Sequence, residues 1–288
     1  MASYTDPSVK HDALLLFDAV DSNPNGDPDN GGRPRVDLAT NHGLVSDASI
    51  KRKVRDTIAF QVENGMIDEE RNRVFIRHGI SLNEQLEAAY NDLGLEIGKK
   101  SSDAEGKAKA RMIDQYIDVR LFGAVMSTGK ASAGKHTGPI TVGIGRSLDE
   151  VLPVELGITR VASTQEEKKD NASQMGSKTV IPYGLYAVRI HYQPTKSNAV
   201  TEADLDLFWK TLISMFEVTR SAARSDVGVR GLHVFTHDSA LGNAPARVLL
   251  DQVTPHKREG IQTPGAFADY NEVLEPQLPN GVSYNRLV

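Results

Sequence analysis

The order of the apolar segments predicts an α+β fold built on a split βαβ, ferredoxin-like sheet with two large insertions. Apolar runs of strand length and two amphipathic patterns follow in the order strand, helix, strand, strand, strand, helix, strand. A doubly wound α/β sheet would need more alternating helices than this sequence contains.

The N-terminal part contains one predicted strand and one predicted helix, separated by a long loop. Residues 13–20 (ALLLFDAV) form a continuous apolar run of strand length. Residues 22–35 (SNPNGDPDNGGRPR) are crowded with turn formers, and loops of this length are often functional. Ser46 is a suitable N-cap for a helix over residues 47–60. The buried stripe of this helix is Ile50, Val54 and Ile58.

Two insertions are expected within the sheet. Residues 61–116 are polar, mostly helical in pattern and interrupted by glycines, which predicts an inserted subdomain. Residues 119–126 and 139–145 are predicted to be strands joined by a loop of glycine, serine and lysine. Residues 147–178 combine a short alternating piece with a charged tract, which predicts a projecting hairpin.

The C-terminal part is predicted to complete the sheet. Residues 180–192 read as a further strand, and Thr201 with Asp204 matches a capping box before an amphipathic helix. Residues 229–235 and 246–253 are predicted to be late strands, and the Pro- and Gly-rich tail that follows is expected to wrap the surface.

Composition excludes several classes of function. The chain has no cysteine, which rules out disulfides, thiolate catalysis and cysteine-based zinc sites. The polar N-terminus predicts no secretory signal, and no apolar run is long enough to span a membrane, so we expect a cytoplasmic protein. The net charge of −5 does not favour nucleic-acid binding on average, but phosphate contacts need only a local basic face.

The predicted helix after Ser46 concentrates positive charge. From Arg33 to Arg55 there are six Lys or Arg and two Asp, so this stretch has a charge of +4. Cations in the first turns oppose the helix dipole, and a bound phosphate would resolve that conflict. The alternative is an exposed, solvated face in which Asp56 pairs with Arg52.

Two loops match ligand-binding motifs incompletely. Asp21, Asn23 and Asn25 fit the first positions of a calcium loop, but its last position is a glycine, so structured turns are favoured and no metal is predicted. Residues 129–135 fit most of a phosphate-binding loop, but His136 replaces the magnesium-binding Ser or Thr and a strand is predicted to follow. This loop could contact RNA phosphates or simply be exposed. No cofactor and no catalytic residue are predicted.

The most specific stretches of the chain are NPNGDPD (23–29) and SIKRKVRD (49–56). DVRLFGAVMSTG, TGPITVGIGRS, MGSKTVIPYGLY and VRGLHVFTHD follow in order. Together they resemble the backbone subunit of the type I-C CRISPR surveillance complex, Cascade, within the RAMP superfamily. The resemblance covers nearly the whole chain.

The resemblance implies a non-catalytic, hand-shaped subunit that binds CRISPR RNA. Its palm would be a modified RRM-like or ferredoxin-like domain formed by residues 1–60, 117–146 and 179–288. The fingers would be 61–116, and the thumb hairpin 147–178. Copies would stack helically along the guide beside other Cascade subunits, each thumb reaching the next copy, and the guide would pair with target DNA while the protein reads backbone and shape.

The resemblance also implies an RNA path along the basic helix, the Gly/Lys loop and the return of the thumb, where an apolar wedge beside a cation could separate stacked bases. The implied RNA contacts are Arg33, Arg35, Lys51, Arg52, Arg55, Ser127, Lys135, His136, Met175 and Lys178. Three further arginines, Arg220, Arg224 and Arg230, are either RNA contacts or members of structural ion pairs.

Two rival functions stay open at the level of sequence. Related type III backbone subunits use a loop Asp to cut target RNA, so a metal-dependent endoribonuclease using Asp21, Asp27 and Asp29 is one alternative. The other is a nucleotide hydrolase using residues 129–135, which the missing Ser or Thr disfavours.

Overall fold

A computed structural model describes residues 2–99, 101–160 and 174–288, which form twelve strands and six α-helices. The strands are β1 (His11–Ser22), β2 (Gly26–Asp27), β3 (Arg33–Pro34), β4 (His42–Val45), β5 (Gly123–Met126), β6 (Gly134–Thr137), β7 (Ile140–Val142), β8 (Gly145–Glu150), β9 (Val154–Arg160), β10 (Gln174–Tyr192), β11 (Val227–His237) and β12 (Val282–Arg286). The helices are α1 (Asp47–Glu63), α2 (Leu82–Asp92), α3 (Ser102–Gln115), α4 (Ile117–Phe122), α5 (Glu202–Val218) and α6 (Ala246–Gln252).

A large antiparallel sheet organises the molecule. Its strand order is β12-β11-β1-β10-β8-β4, with β7 and β9 also pairing with β10. β1 lies inside the sheet, so that Leu15 faces Val188 of β10 on one side and Leu232 of β11 on the other. This sheet combined with helices confirms the predicted mixed α and β class. A ferredoxin-like palm within it stays a prediction.

Both faces of the sheet are covered, because successive side chains of β1 point to opposite sides. Leu15 and Phe17 belong to the core that contains Ile50 of α1 and residues of α5. Leu14 and Leu16 point to the other face and belong to a core with Leu249 of α6 and residues of the C-terminal tail. The central strands therefore present no open face on which nucleic-acid bases could stack.

The region between α1 and β5 has its own apolar core. α2 and α3 pack through Leu86, Ala108 and Met112, and Phe75 meets Tyr116 edge-on with ring centroids 5.6 Å apart. Helices in this region agree with the helical pattern predicted for residues 61–116, while the domain boundaries themselves stay a prediction.

A buried ion pair joins α4, at the edge of this region, to α5. Arg120 forms a two-pronged pair with Asp204 at 2.7 and 3.2 Å, and the side chains are 1% and 5% exposed. The same guanidinium donates to the backbone oxygens of Arg71, Ile113 and Asp114. Arg120 thus satisfies its own donors and connects three segments.

Two predicted strands were wrong. Residues 119–126 begin as helix α4, which ends at Phe122, and only then continue as β5. The alternation of apolar and charged residues there mimics a half-exposed strand, but Asp118 and Arg120 are buried and paired. Of residues 246–253, all but the last form helix α6, whose Leu249 and Leu250 are buried against the sheet. An apolar run this short does not distinguish a strand from a helix.

Both predicted helix caps are confirmed. Ser46 caps α1 by accepting from the backbone N–H of Ser49, and Thr201 with Asp204 forms the capping box of α5. β9 and β10 form a hairpin in which Leu156 lies opposite Lys178. Among the helices within the described ranges, we find none long and apolar enough to cross a membrane.

Candidate nucleic-acid interface

An open, polar groove of about 890 Å³ runs along α1, and we call it the α1 groove. Three segments supply most of its lining, and Arg77 adds to it: α1 with its cap Ser46, the loop at residues 24–26, and residues 218–224 from the end of α5 towards β11. Its charged lining residues are Arg52, Lys53, Asp56, Glu63, Arg77, Arg220 and Arg224. Positive side chains thus outnumber negative ones along the groove.

Asparagines hold the loop against the other two segments. Asn25 accepts the backbone N–H of Ser46 through Oδ1 at 2.8 Å, which attaches the loop to the start of α1. The backbone N–H of Asn23 donates to the oxygen of Ala223 at 2.7 Å, which attaches it to the turn. The three walls of the groove are therefore connected by directional bonds.

The carboxylate of Asp27 orders the rest of this loop. It caps a short 3-10 turn by accepting the N–H of Asp29 and pairs with Arg35 at 3.1 Å. The expectation that the Asn and Asp side chains of the loop order its turns is confirmed for Asn23, Asn25 and Asp27. Within the part of the chain that is described, no group of three or more His, Asp or Glu is placed to hold a metal ion.

The cations of α1 divide between two flanks. On the flank facing α4, Lys51 pairs with Asp47 at 2.9 Å and Arg55 with the buried Asp118 at 2.7 Å. Both cations also lie near the ring of Phe122, at 5.9 and 5.4 Å from its centroid. We call this side of the helix the α4 flank; its positive charge is matched by protein carboxylates.

The opposite side of α1, the groove flank, presents Arg52 and Lys53. Arg52 is exposed and pairs with Asp56 at 3.4 Å, as the solvated-face alternative predicted. Lys53 is only 6% exposed and forms no ion pair with any described residue. Burial, followed by the nearby charge of Arg224, lowers the pKa of Lys53 to about 8.

The turn at residues 218–224 contributes two of the arginines left open by the sequence. Arg220 pairs with Glu217, and Arg230 on β11 pairs with the buried Asp18 at 2.8 Å. Arg224 instead has a buried Nε–H without a partner within the described residues. Arg220 and Arg230 thus belong to ion pairs, whereas Arg224 lines the groove and pairs with no described carboxylate.

The Gly/Lys loop connects β5 and β6, and its residues are not among those that line the groove. Ser127 and Lys135 are exposed, and Lys135 continues into β6 opposite Val125. His136 is half-buried, and burial followed by the charge of Lys109 lowers its pKa. A strand therefore follows this loop, as predicted, where a nucleotide-binding loop requires a helix.

The β9–β10 hairpin meets the groove at its base. Lys178 donates to the backbone oxygen of Ala222 at 2.7 Å, and Arg33 pairs with Glu155 at 2.7 Å. Met175 pairs with Thr159 along the hairpin, but its side chain lies outside the described residues. On β9, one stripe of apolar side chains is exposed: Val154, Leu156 and Ile158.

An antiparallel sheet whose helices border a cationic groove defines a candidate binder of polyanions. The sequence model of one family, described as "CRISPR-associated protein Cas7", matches residues 9–275. The chain therefore belongs to the Cas7 family.

A curated relative and two solved structures are similar to the chain. A CRISPR-associated protein Cas7 of Haloferax volcanii is 25% identical over 228 residues, covering 70% of this chain and 64% of the relative, which is less than two thirds of its length. A structure described as "CRISPR RNA-guided surveillance complex, pre-nicking" covers 78% of both chains with a TM-score of 0.50 and 15% identity, which indicates a shared fold. A second "CRISPR RNA-guided surveillance complex" covers 77% and 68% at 13% identity, but its TM-score of 0.39 is too low to support a conclusion.

Proposed function

We propose that the chain is a non-catalytic subunit that binds the sugar–phosphate backbone of a CRISPR RNA in a type I-C Cascade complex. Membership of the Cas7 family supports RNA as the ligand, and the α1 groove is the observation on which the proposal depends. In a chain with a net charge of −5, that groove holds two cations, Lys53 and Arg224, without carboxylate partners among the described residues. Phosphates would supply the missing negative charge.

The RNA is proposed to follow α1 and the segments around it. Arg52 is exposed on the groove, and Lys178 sits where the hairpin touches the groove turn, which favours direct contact. Arg55 is held by Asp118, so its proposed role is to position α1 while one edge of its guanidinium approaches the backbone. The other proposed contacts are Arg33, Arg35, Lys51, Ser127, Lys135, His136 and Met175.

The proposed mode of binding is through the backbone, with the bases left free. Helices and the tail cover both faces of the main sheet, where Leu14 and Leu15 of β1 are buried. RNA bases therefore cannot stack on the face of the sheet. A guide held by its phosphates keeps its base-pairing edges available for target DNA.

The proposal includes a palm, fingers and thumb with the predicted boundaries, and a helical row of copies beside other Cascade subunits. The exposed apolar stripe of β9 supports a contact between the hairpin and a neighbouring copy, because exposed apolar stripes commonly mark interaction sites.

The test is to purify the protein from its host cells and sequence the RNA that accompanies it. We expect guides carrying CRISPR repeats, present in the same amount with the control Lys210→Met, whose lysine pairs with Asp206 far along α5. Protein free of RNA, or carrying random cellular fragments, would contradict the proposal.

The rival endoribonuclease function is tested separately. We expect RNA to stay intact after prolonged incubation with magnesium. Magnesium-dependent cleavage that disappears in Asp27→Asn, a change that preserves the shape of the side chain in its turn, would overturn the non-catalytic assignment.

A further inference from the structure

Lys53 occupies an unusual position for a lysine. The residue is only 6% exposed, and its amine lies 5.9 Å from the ring centroid of Phe216 on α5. It makes no hydrogen bond or ion pair with another described residue, and it lines the α1 groove. A lysine buried to this extent is costly for a folded protein unless its amine is paired or bound to a ligand.

Among the described residues, the one acidic group that acts on Lys53 is shared with another cation. On its own helix, Asp56 pairs with Arg52. From the turn between α5 and β11, Arg224 approaches as a second cation, and its buried Nε–H has no partner in the described ranges.

The remaining charges of the groove are already matched. Arg77 pairs with Glu63 at the far end of α1, and Arg220 pairs with Glu217. The loop at residues 24–26, which forms the third wall, is Pro-Asn-Gly and contributes no carboxylate. An anion from outside the chain is therefore the natural occupant of the space between Lys53 and Arg224.

We propose that Lys53 and Arg224 form a socket for a single phosphate of the RNA backbone, with Lys53 as its principal ligand. This inference rests on the proposed function and assigns its central contact to residues other than the basic side chains of the α4 flank. The two side chains suit the task differently, because Lys offers a compact charge and Arg a planar fork that can grip two phosphate oxygens. The groove volume of about 890 Å³ lies within the range of ligand-binding clefts.

Proton uptake is a consequence of this arrangement. Burial and Arg224 lower the pKa of Lys53 to about 8, and a bound phosphate favours the charged form and raises that pKa again. Binding then takes up a proton at pH values above about 8, and affinity falls as pH rises because free Lys53 becomes neutral.

The experiment measures RNA affinity at constant ionic strength between about pH 7 and about pH 9. The RNA contains only adenosine, whose base does not lose a proton in that range. We expect the affinity of the wild-type protein to fall by about tenfold, since about nine tenths of a group with a pKa near 8 is neutral one unit higher. Lys53→Arg should bind with little dependence on pH, and Lys53→Met should bind weakly throughout.

The controls separate failure of the socket from failure of the function. Lys210→Met, which removes an exposed lysine on α5, should reproduce the pH profile of the wild type. Circular dichroism and thermal melting check that Lys53→Met is folded. If the wild type binds RNA with an affinity that is flat in pH and equal to that of Lys53→Met, the socket is wrong while the function stands. If the wild type does not bind RNA at all, the proposed function itself fails.

Discussion

The two flanks of α1 show how similar side chains come to serve different purposes. On the α4 flank, Arg55 contacts a carboxylate that is 1% exposed, and this pair holds α1 against α4. Two residues earlier, Lys53 is just as deeply buried on the groove flank and forms no ion pair with a carboxylate of the described residues. The difference indicates that a cation matched inside the protein contributes to structure, while an unmatched one at a groove is placed for an external anion.

This comparison predicts its largest effect at Arg120, the most completely matched cation. We expect Arg120→Met to lower the free energy of unfolding by about 4 kcal/mol, since it leaves Asp204 buried without its partner. Urea denaturation measures the change. A loss below about 1 kcal/mol would show that the buried pair of Arg120 with Asp204 contributes little to stability, and would contradict the structural role assigned to matched cations.

Arg55 tests the α4 flank directly. Arg55→Met should lower the free energy of unfolding by about 3 kcal/mol, somewhat less than Arg120→Met. The reason is that Asp118 keeps hydrogen bonds from the backbone N–H groups of Phe75 and Ile76. If this variant kept wild-type stability and lost RNA binding instead, the structural role of the α4 flank would be contradicted.

Lys53 should respond with the opposite sign. We expect Lys53→Met to raise the free energy of unfolding by about 2 kcal/mol near neutral pH, because it removes a charge whose pKa is lowered from 10.5 to about 8 by burial. Below pH 8, Lys53 is protonated in both states, and its buried charge lowers the free energy of unfolding by the full amount. Between pH 8 and 10.5 this loss shrinks, because folded Lys53 is neutral and the unfolded chain progressively loses its proton as well. The advantage of the variant should therefore shrink across that window in parallel urea titrations, and an advantage that grows with pH would contradict the assignment.

Arg52 should show the smallest change in stability. Its pair with Asp56 is exposed, so Arg52→Ala is expected to alter the free energy of unfolding by less than about 0.5 kcal/mol. The same change should reduce the slope of log affinity against log salt by about one, as expected for the loss of one phosphate contact. An unchanged slope would place Arg52 outside the RNA path.

Much of the fold follows from local patterns in the sequence. The apolar run of β1, the Ser46 cap and the stripe of α1 depend on interactions between near neighbours, so the sequence alone identified them. α4 was missed because its charged residues are buried by partners far along the chain, as in the pair of Arg120 with Asp204. Periodicity assumes that charge faces water, and that assumption fails where a tertiary ion pair buries it.

The candidate site was predictable in location but less so in detail. The charge density of residues 49–56 pointed to α1, and the spacing of Arg52 and Asp56 correctly predicted their pair. Asp56 lies three positions after Lys53, while Arg55 has no acidic residue three or four positions away, so spacing favours a carboxylate partner for Lys53 and not for Arg55. The structure shows the reverse, with Arg55 paired to Asp118. That depends on Asp118 and Arg224, which only the folded chain brings to opposite sides of α1.

Photochemical cross-linking of the native RNA–protein complex, followed by mass spectrometric location of the linked residues, tests the account most directly. We predict that cross-links concentrate in the segments lining the α1 groove, residues 46–56 and 218–224, and at the base of the hairpin near Lys178. Cross-links confined to α6 and the C-terminal tail, with the α1 groove unmarked, would contradict it.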